Sequence, residues 1–385
     1  DVCSSDLDVR VLALQAKKYP DIDMPTAITQ IAGRKVAAEK IPSWWEIEKI
    51  WYPKHLSLEQ CSSEITARYK ARLLQGDSLT DLTGGFGIDC SFLATGFKSA
   101  TYVERQEELC EIAAHNFPVL NLNHINIKNE DGVTYLQVMS PVDSLFLDPA
   151  RRNEHGGKTV AISDCEPNVA ELEELLLQKA NRVMIKLSPM LDLSLALKEL
   201  KQTQEVHILS VNNECKELLI LLGQTSPAEI SIHCVNLFTK GTQKEQHFVF
   251  TREQEQCSEC TYTDSLETYL YEPNASLLKA GAFRSIAAAY PVRKLHPNSH
   301  LYTSDTFIEN FPGRIFRIVN QCSFNKKEVK ENLADLKKAN VTVRNFPATV
   351  AELRKRIHLA EGGDTYLFAS TLNNGQKVLI RCEKV

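Results

Sequence analysis

Four acidic positions, each closing a short apolar run, carry the chemistry this sequence can offer. In "DLTGGFGID", Asp81 precedes Thr83, Gly84, Gly85, Phe86 and Gly87. Such a glycine turn lets backbone approach a ligand closely before a helix begins. An acid ahead of the glycines would repel a pyrophosphate and suits a ligand with an ammonium group. Glu104 ends "TYVE", 23 residues after Asp81, where a carboxylate can hold two ribose hydroxyls. In "NEDG", Glu130 or Asp131 can accept an exocyclic amine. The fourth position is Asp148 in "LFLDPARRNEHGG", where a continuous apolar run gives way to a carboxylate, a stiffening Pro149 and the cations Arg151 and Arg152.

These positions need strand ends to present them, and the surrounding pattern supplies strands. From Asp77 onward the chain alternates strand, glycine turn, helix and strand: "SLTDL", "SATYVE", "INIKNED", "DSLFLDP", "RVMIKLSP", "EVHILSV", "EISIHCVNL" and "QHFVF". Strands alternating with crossover helices predict a doubly wound α/β sheet over 76–250, with ligands beyond the carboxyl ends of the strands. Residues 1–75 read as a helical region. Within it Ser57-Leu-Glu-Gln60 has capping-box spacing, and the helix "CSSEITARYKARLLQG" is expected to stop at Gly76. "IPSWWEIEKIWYP" places three Trp and a Tyr within nine residues, expected to seal a small helical core. Residues 251–313 form a bridging region with "YLYEPNASLLKAGAFRSIAAAYP" as its helical part. The tail, 314–385, reads β-α-β-α-β-β, with Asn373-Asn374-Gly375 as its last turn.

Length and composition set bounds on the whole. The 385 residues predict two or three domains, and 43% hydrophobic with 24% charged residues describe an ordinary globular protein. Neither a membrane span nor a secretory signal is expected, and "DVCSSDLDVR" reads as a truncated or foreign start. The 11 scattered cysteines suit reduced thiols in a cytoplasm. Cys257 and Cys260 form a CxxC without a second pair at ligand spacing, so no metal is expected. From Phe311 to Val385 the charge is +7, against −12 for the rest, which points to a polyanion partner for the terminal module.

The acidic series resembles the class I S-adenosylmethionine-dependent methyltransferases over roughly residues 60 to 250. Together with "YPKHLSLEQCSSEITARYKA", "LDPARR", "IKLSPMLD", "YEPNASLLKAGAF" and "VRNFP…ELRKRIHLAEGGDTYLFAS", it resembles one bacterial family over nearly the whole chain. That family joins a Rossmann-like methyltransferase domain to a ferredoxin-like module and a C-terminal α+β THUMP-like domain. The resemblance implies S-adenosylmethionine as cofactor, with Asp81, Thr83, Gly85, Phe86 and Gly87 forming its methionine-side turn. Glu104 would take the ribose, Asp131 the adenine, and Asp148 would face both cofactor and acceptor. Asp148 and Pro149 correspond to the catalytic turn of nucleic-acid amino-methyltransferases, where acid and proline carbonyl aim the target nitrogen. THUMP domains in related proteins bind RNA, chiefly tRNA.

Where this chain departs from those enzymes, the stacking aromatic after the prolines is replaced by Ala150-Arg151-Arg152. "DPAR" also resembles the turn of RNA uracil-C5 methyltransferases, but "IKLSPM" lacks their cysteine nucleophile, and Cys165 precedes the intervening helix. Arg151 and Arg152 are expected to clamp phosphate or stack on a base, or else to bridge to acids elsewhere in the protein, and Lys186 to add a phosphate contact or to serve as an ordinary salt-bridge partner. Further RNA contacts are expected from Lys326, Lys327, Arg344, Arg354, Lys355 and Arg356. The leading expectation is a cytoplasmic RNA methyltransferase acting on a base nitrogen of tRNA, or of rRNA, with no membrane association and no obligate protein partner. Methylation of a protein or small molecule, and an inactive RNA-binding protein, are the alternatives. A nicotinamide dehydrogenase uses the same topology, but the glycine spacing of this chain does not support one.

Overall fold

The computed structural model describes residues 9–14, 18–151, 161–225 and 227–385. The chain forms two compact units, one of residues 1–206 with 217–228, the other of 207–216 with 229–385.

The strands carried by the first unit begin with β1 (Ser78–Asp81), β2 (Ser99–Glu104), β3 (Ile125–Asn129) and β4 (Val142–Leu147). A short pair follows, β5 (Ala150–Arg151) and β6 (Cys165–Glu166). Then come β7 (Ala180–Leu187), β8 (Thr203–Val211) and β9 (Glu214–Gly223), the last two continuing across the division between units. In the sheet, β9-β7-β4-β1-β2-β3 lie side by side, parallel except for β9, which runs against β7. The chain lays β2 and β3 to one side of β1 and β4 to the other. The strand order therefore reverses between β1 and β4, and a crevice opens beyond their carboxyl ends. Leu145, Phe146 and Leu147 are completely covered, as their unbroken apolar run demands.

The N-terminal helices Met24–Lys40, Pro42–Trp45, His55–Gln60 and Glu64–Ala71 share one core with the sheet's own helices. Trp44, Tyr52, Leu58 and Ala67 cluster with Phe86, Ile88 and Phe92. Trp44 is thus a core residue, whereas Trp51 is half exposed and stacks on His115 at 3.9 Å. The expected capping box does not form. Lys54 occupies the cap position and Ser57 lies inside the helix. Nor does the next helix run from Cys61 to Gly76: Cys61 and Ser63 are extended, and the helix begins at Glu64 and ends at Ala71. The break turns the Ser62 hydroxyl into a buried cluster of charges.

In the second unit, β10 (Ser231–Leu237) and β11 (Glu245–Phe250) pair antiparallel. A seven-stranded sheet is built from β12 (Tyr269–Pro273), β13 (Arg293–Lys294), β14 (Tyr302–Ser304), β15 (Gly313–Ser323), β16 (Lys338–Val343), β17 (Ala360–Thr371) and β18 (Lys377–Lys384). Their spatial order is β13-β14-β12-β15-β18-β17-β16. "YLYEP", expected to be helical, is strand β12, with helices only from Ala275. The tail has the expected β-α-β-α-β-β order, and Gly375 takes the positive φ that its turn requires. Among the described residues no helix is long and apolar enough to cross a membrane.

Candidate active site

Asp81 ends β1 with its side chain almost wholly covered. Its Oδ1 accepts from the Thr83 N–H at 3.0 Å, while Oδ2 is buried without a hydrogen-bond partner. Burial, followed by the nearby Asp89 and Asp148 carboxylates, pushes this acid up to about 8, against the lowering effects of the Thr83 N–H and Lys186. A buried acceptor left open in this way is costly unless a ligand completes it.

The glycine turn is shaped by what lies beneath it. Gly85 and Gly87 have φ of +54° and +86°, a conformation side-chain-bearing residues rarely adopt. A Cβ on Gly84 would fall 2.2 Å from the Tyr102 ring. Glu104, at the end of β2, accepts from the Gly85 N–H at 2.9 Å through Oε2 and from the Gln106 N–H at 2.8 Å through Oε1. Each oxygen retains a second lone pair for a ligand hydroxyl. Asp131 caps the helix Gly132–Val138 by accepting from Val133 and Thr134 through Oδ1. Asp81 and Glu104 are thus the last residues of β1 and β2, and Asp131 lies two residues beyond β3 at the cap of the next helix. Phe86 is an exception among the residues expected to touch cofactor. Its ring is buried against Trp44, with centroids 5.2 Å apart, because the N-terminal helices cover that side of the turn.

Asp148 lies one residue beyond β4 and is tied to the glycine turn through its N–H, which donates to Thr83 Oγ1 at 2.6 Å. Its Oδ2 is 2.6 Å from Lys186 Nζ. Of the two roles expected for Lys186, a phosphate contact or a salt bridge, the structure shows the second. The residue is 7% exposed at the end of β7, where it also reaches Asp89 Oδ2 at 3.3 Å and Ser62 Oγ at 3.0 Å. Its charge is committed inside the protein, so the phosphate role does not hold. Behind it, Lys70 is completely buried and bridges Asp89 at 2.9 Å and Glu217 at 2.7 Å. Ser62 accepts from both ammonium groups and donates to Asp89 at 2.7 Å.

The protonation states follow from this packing. Burial alone would raise Asp89, but Lys70 and Lys186 hold it down to about 2. Burial works to lower Lys186, yet Asp148, Asp89 and Glu217 hold it well above the usual lysine range. Burial raises Asp148, and Lys186 opposes that rise. The result is an ion cluster of two ammonium groups and three carboxylates at the carboxyl ends of β4 and β7. Ser62, Lys70, Asp89 and Glu217 were not singled out in the sequence.

Pro149 follows Asp148, and Ala150–Arg151 form β5, which pairs with β6. The Arg151 side chain, Arg152 and the stretch through "NEHGG" lie outside the described residues. Cys165 in β6 is buried. Of the expected RNA contacts in the second unit, Lys326 and Lys327 are exposed in the first turn of the helix Lys326–Leu333. Lys355 and Arg356 are exposed on the helix Val350–Ile357, with Arg356 4.0 Å from the Phe324 ring centre. Arg354 is mostly covered and lies 3.9 Å from Glu361, and Arg344 pairs with the buried Glu272 at 3.1 Å.

Comparison with known proteins places these features in a lineage. A family described as a ferredoxin-like domain matches residues 269–312, and one described as THUMP domain-like matches 313–384. No curated protein matches the chain. The crystal structure of a provisionally assigned methyltransferase from Porphyromonas gingivalis W83 is 36% identical, with a TM-score of 0.86 over 98% of this chain and 97% of that one. An rRNA methylase from Streptococcus thermophilus is 15% identical over 41% of this chain and 93% of its own, at a TM-score of 0.31. TrmK of M. capricolum, solved with S-adenosyl-homocysteine, is 12% identical over 42% of this chain and 68% of its own, at 0.33. Neither of these two distant likenesses bears on the activity of this chain. The near full-length match and the two domain matches do establish kinship: the chain belongs to the methyltransferase family of the Porphyromonas gingivalis protein, and carries a ferredoxin-like module and a C-terminal THUMP-like domain.

Proposed function

We propose that the protein transfers a methyl group from S-adenosylmethionine to RNA, at the crevice beyond β1 and β4. The observation that carries this reading is the unpartnered, buried Asp81 Oδ2 beside the positive-φ glycine turn, joined through Thr83 to Asp148. The residues fit the cofactor. Asp81 would hold the methionine ammonium, the second lone pairs of Glu104 the ribose hydroxyls, and Asp131 the adenine amine. When bound, S-adenosylmethionine supplies a methyl group already activated on sulfonium sulfur, so placement is most of what the protein must add.

That placement falls to Asp148 and Pro149. Asp148 is fixed on one side by Lys186 and on the other by its N–H bond to Thr83, so its remaining oxygen can accept a hydrogen bond from the acceptor. A base nitrogen of tRNA or rRNA, the expectation from the Asp-Pro turn, carries such a hydrogen, and so does a hydroxyl. RNA as substrate is supported by the THUMP-like region and by the +7 charge from Phe311 to Val385, with Lys326, Lys327, Lys355 and Arg356 exposed on two of its helices. Arg151 and Arg152, adjoining the Asp-Pro turn in sequence, are assigned to the RNA strand near the acceptor.

Calorimetry with S-adenosylmethionine, S-adenosyl-homocysteine and NAD tests the cofactor. Heat is expected with the two sulfur ligands and none with NAD; the reverse result would end this reading. Transfer of labelled methyl to RNA from a strain lacking the gene tests the substrate. Label appearing only in protein or small molecules would move the activity to the alternative acceptors.

A further inference from the structure

We infer that the atom methylated is a hydroxyl oxygen, the ribose 2′-hydroxyl of RNA, rather than a base nitrogen. The inference rests on the reading of the chain as an RNA methyltransferase and concerns the acceptor at that same site.

The argument starts from the sign of the charge beside the acceptor. An acceptor hydrogen-bonded to Asp148 must lie close to Lys186, whose Nζ is 2.6 Å from Asp148 Oδ2. When a neutral amine attacks a sulfonium carbon, positive charge moves onto the nitrogen. An ammonium group fixed next to that nitrogen opposes the change, and a carboxylate alone would serve it better. A hydroxyl oxygen has the opposite requirement. It is a weak nucleophile until its proton is drawn off, and the oxygen then carries negative charge that a neighbouring cation stabilises.

The surroundings keep that cation in place. Lys186 faces Asp148 from beyond β4, Asp89 from the helix Ile88–Ala94, Ser62 from the N-terminal region and Glu217 on β9. Lys70 pairs with Asp89 and Glu217, so neither carboxylate is left to Lys186 alone. The cluster itself shows how it treats a hydroxyl. Ser62 Oγ receives hydrogen bonds from Lys70 at 2.8 Å and Lys186 at 3.0 Å, and gives its proton toward Asp89 at 2.7 Å. Asp148 can likewise accept the proton of a substrate hydroxyl, because its side chain is 37% exposed, while the covered Lys186 ammonium behind it acts on the oxygen through its charge.

In the step, a lone pair of the hydroxyl oxygen forms the new O–CH3 bond while the S–CH3 bond breaks. Its electron pair stays on sulfur, which becomes a neutral thioether. The hydroxyl proton passes to the Asp148 carboxylate and then to solvent. As Asp148 takes the proton its charge disappears, leaving the Lys186 ammonium to face the oxygen. RNA offers a 2′-hydroxyl at every nucleotide, and DNA offers none.

The test uses the full chain, labelled S-adenosylmethionine and RNA from a strain lacking the gene, followed by complete alkaline hydrolysis. A 2′-O-methyl group blocks cleavage of its own linkage, so label is expected in alkali-stable dinucleotides. Label in mononucleotides would overturn the inference and leave the RNA reading standing. An absence of label in any RNA fraction would sink both. Lys186→Met should lower single-turnover rate by about a hundredfold or more, with cofactor binding retained, and Lys186→Arg should recover part of it. A Lys186→Met protein that methylates RNA at the normal rate would also overturn the inference. If that variant fails to fold, the position of label from the unaltered protein decides alone.

Discussion

Asp81 is a buried acid with an open oxygen, and in its proposed role at the cofactor ammonium that combination would couple binding to a proton. With its folded value near 8 it is largely protonated at neutral pH, and a cationic ligand favours the ionised form. S-adenosylmethionine binding should therefore release protons near pH 7 and tighten as pH rises toward 8. Calorimetry in buffers of different ionisation enthalpy reads that release directly, and Asp81→Asn should abolish it. In the free protein the same acid holds a proton that the unfolded chain loses near pH 4, so its contribution makes stability fall as pH rises from about 4 to 8. Asp148→Ala is expected to lower turnover by about a hundredfold or more while leaving cofactor affinity nearly intact, because its bond to the acceptor matters chiefly during attack. Single-turnover rates alongside binding isotherms separate the two effects. Asp81, Glu104 and Asp148 were legible because each is an acid closing a β-like run. Lys186 was legible as a strand-end cation and as a candidate salt-bridge partner, but its burial was not. Nothing local marks its partners Asp89 and Ser62, 97 and 124 residues away along the chain.

At the scale of elements, the N-terminal helix Glu64–Ala71 is held to the sheet by an ion pair as well as by apolar packing. Lys70→Met would leave Asp89 and Glu217 short of a buried cation, and should destabilise the protein by about 3–5 kcal/mol, measurable as a lower urea midpoint. The strand β9, which carries Glu217, was missing from the sequence reading. "CKELLILLG" has a continuous apolar run without alternation, and such a run does not distinguish a buried strand from a buried helix. In the fold Leu218 to Leu222 are completely covered beside β7. The helix break at Cys61–Ser63 escaped notice for a related reason. Ser57-x-x-Gln60 met a local capping rule, while the hydroxyl that mattered was Ser62, recruited by charges far away in sequence. Strands β1 to β4 and the helices between them were read correctly because alternation and turn chemistry are local.

Across the whole molecule, RNA affinity should depend steeply on salt and reside mainly in the second unit. Replacing Lys326, Lys327, Lys355 and Arg356 by Gln should weaken binding by filter assay and flatten the log affinity against log salt slope by nearly one unit for each phosphate contact removed. Unchanged salt dependence would place RNA elsewhere. The order of modules was readable from periodicity and from the basic tail, but their union was not, since β-strand pairing partners leave no local mark in sequence. β12, in the ferredoxin-like stretch, pairs with β15 of the THUMP-like stretch from Tyr269↔Arg317 to Pro273↔Gly313. Leu270, Leu295 and Leu301 also share a core with Phe316, Phe368 and Ile380. A nonsense mutation at the codon for Pro312 would therefore not be expected to yield a shorter working enzyme. It would bare the side of β12 that β15 covers, a ready edge for joining other chains. The two stretches stand or fall together in heredity, so a gene that loses one is expected to lose or replace the other.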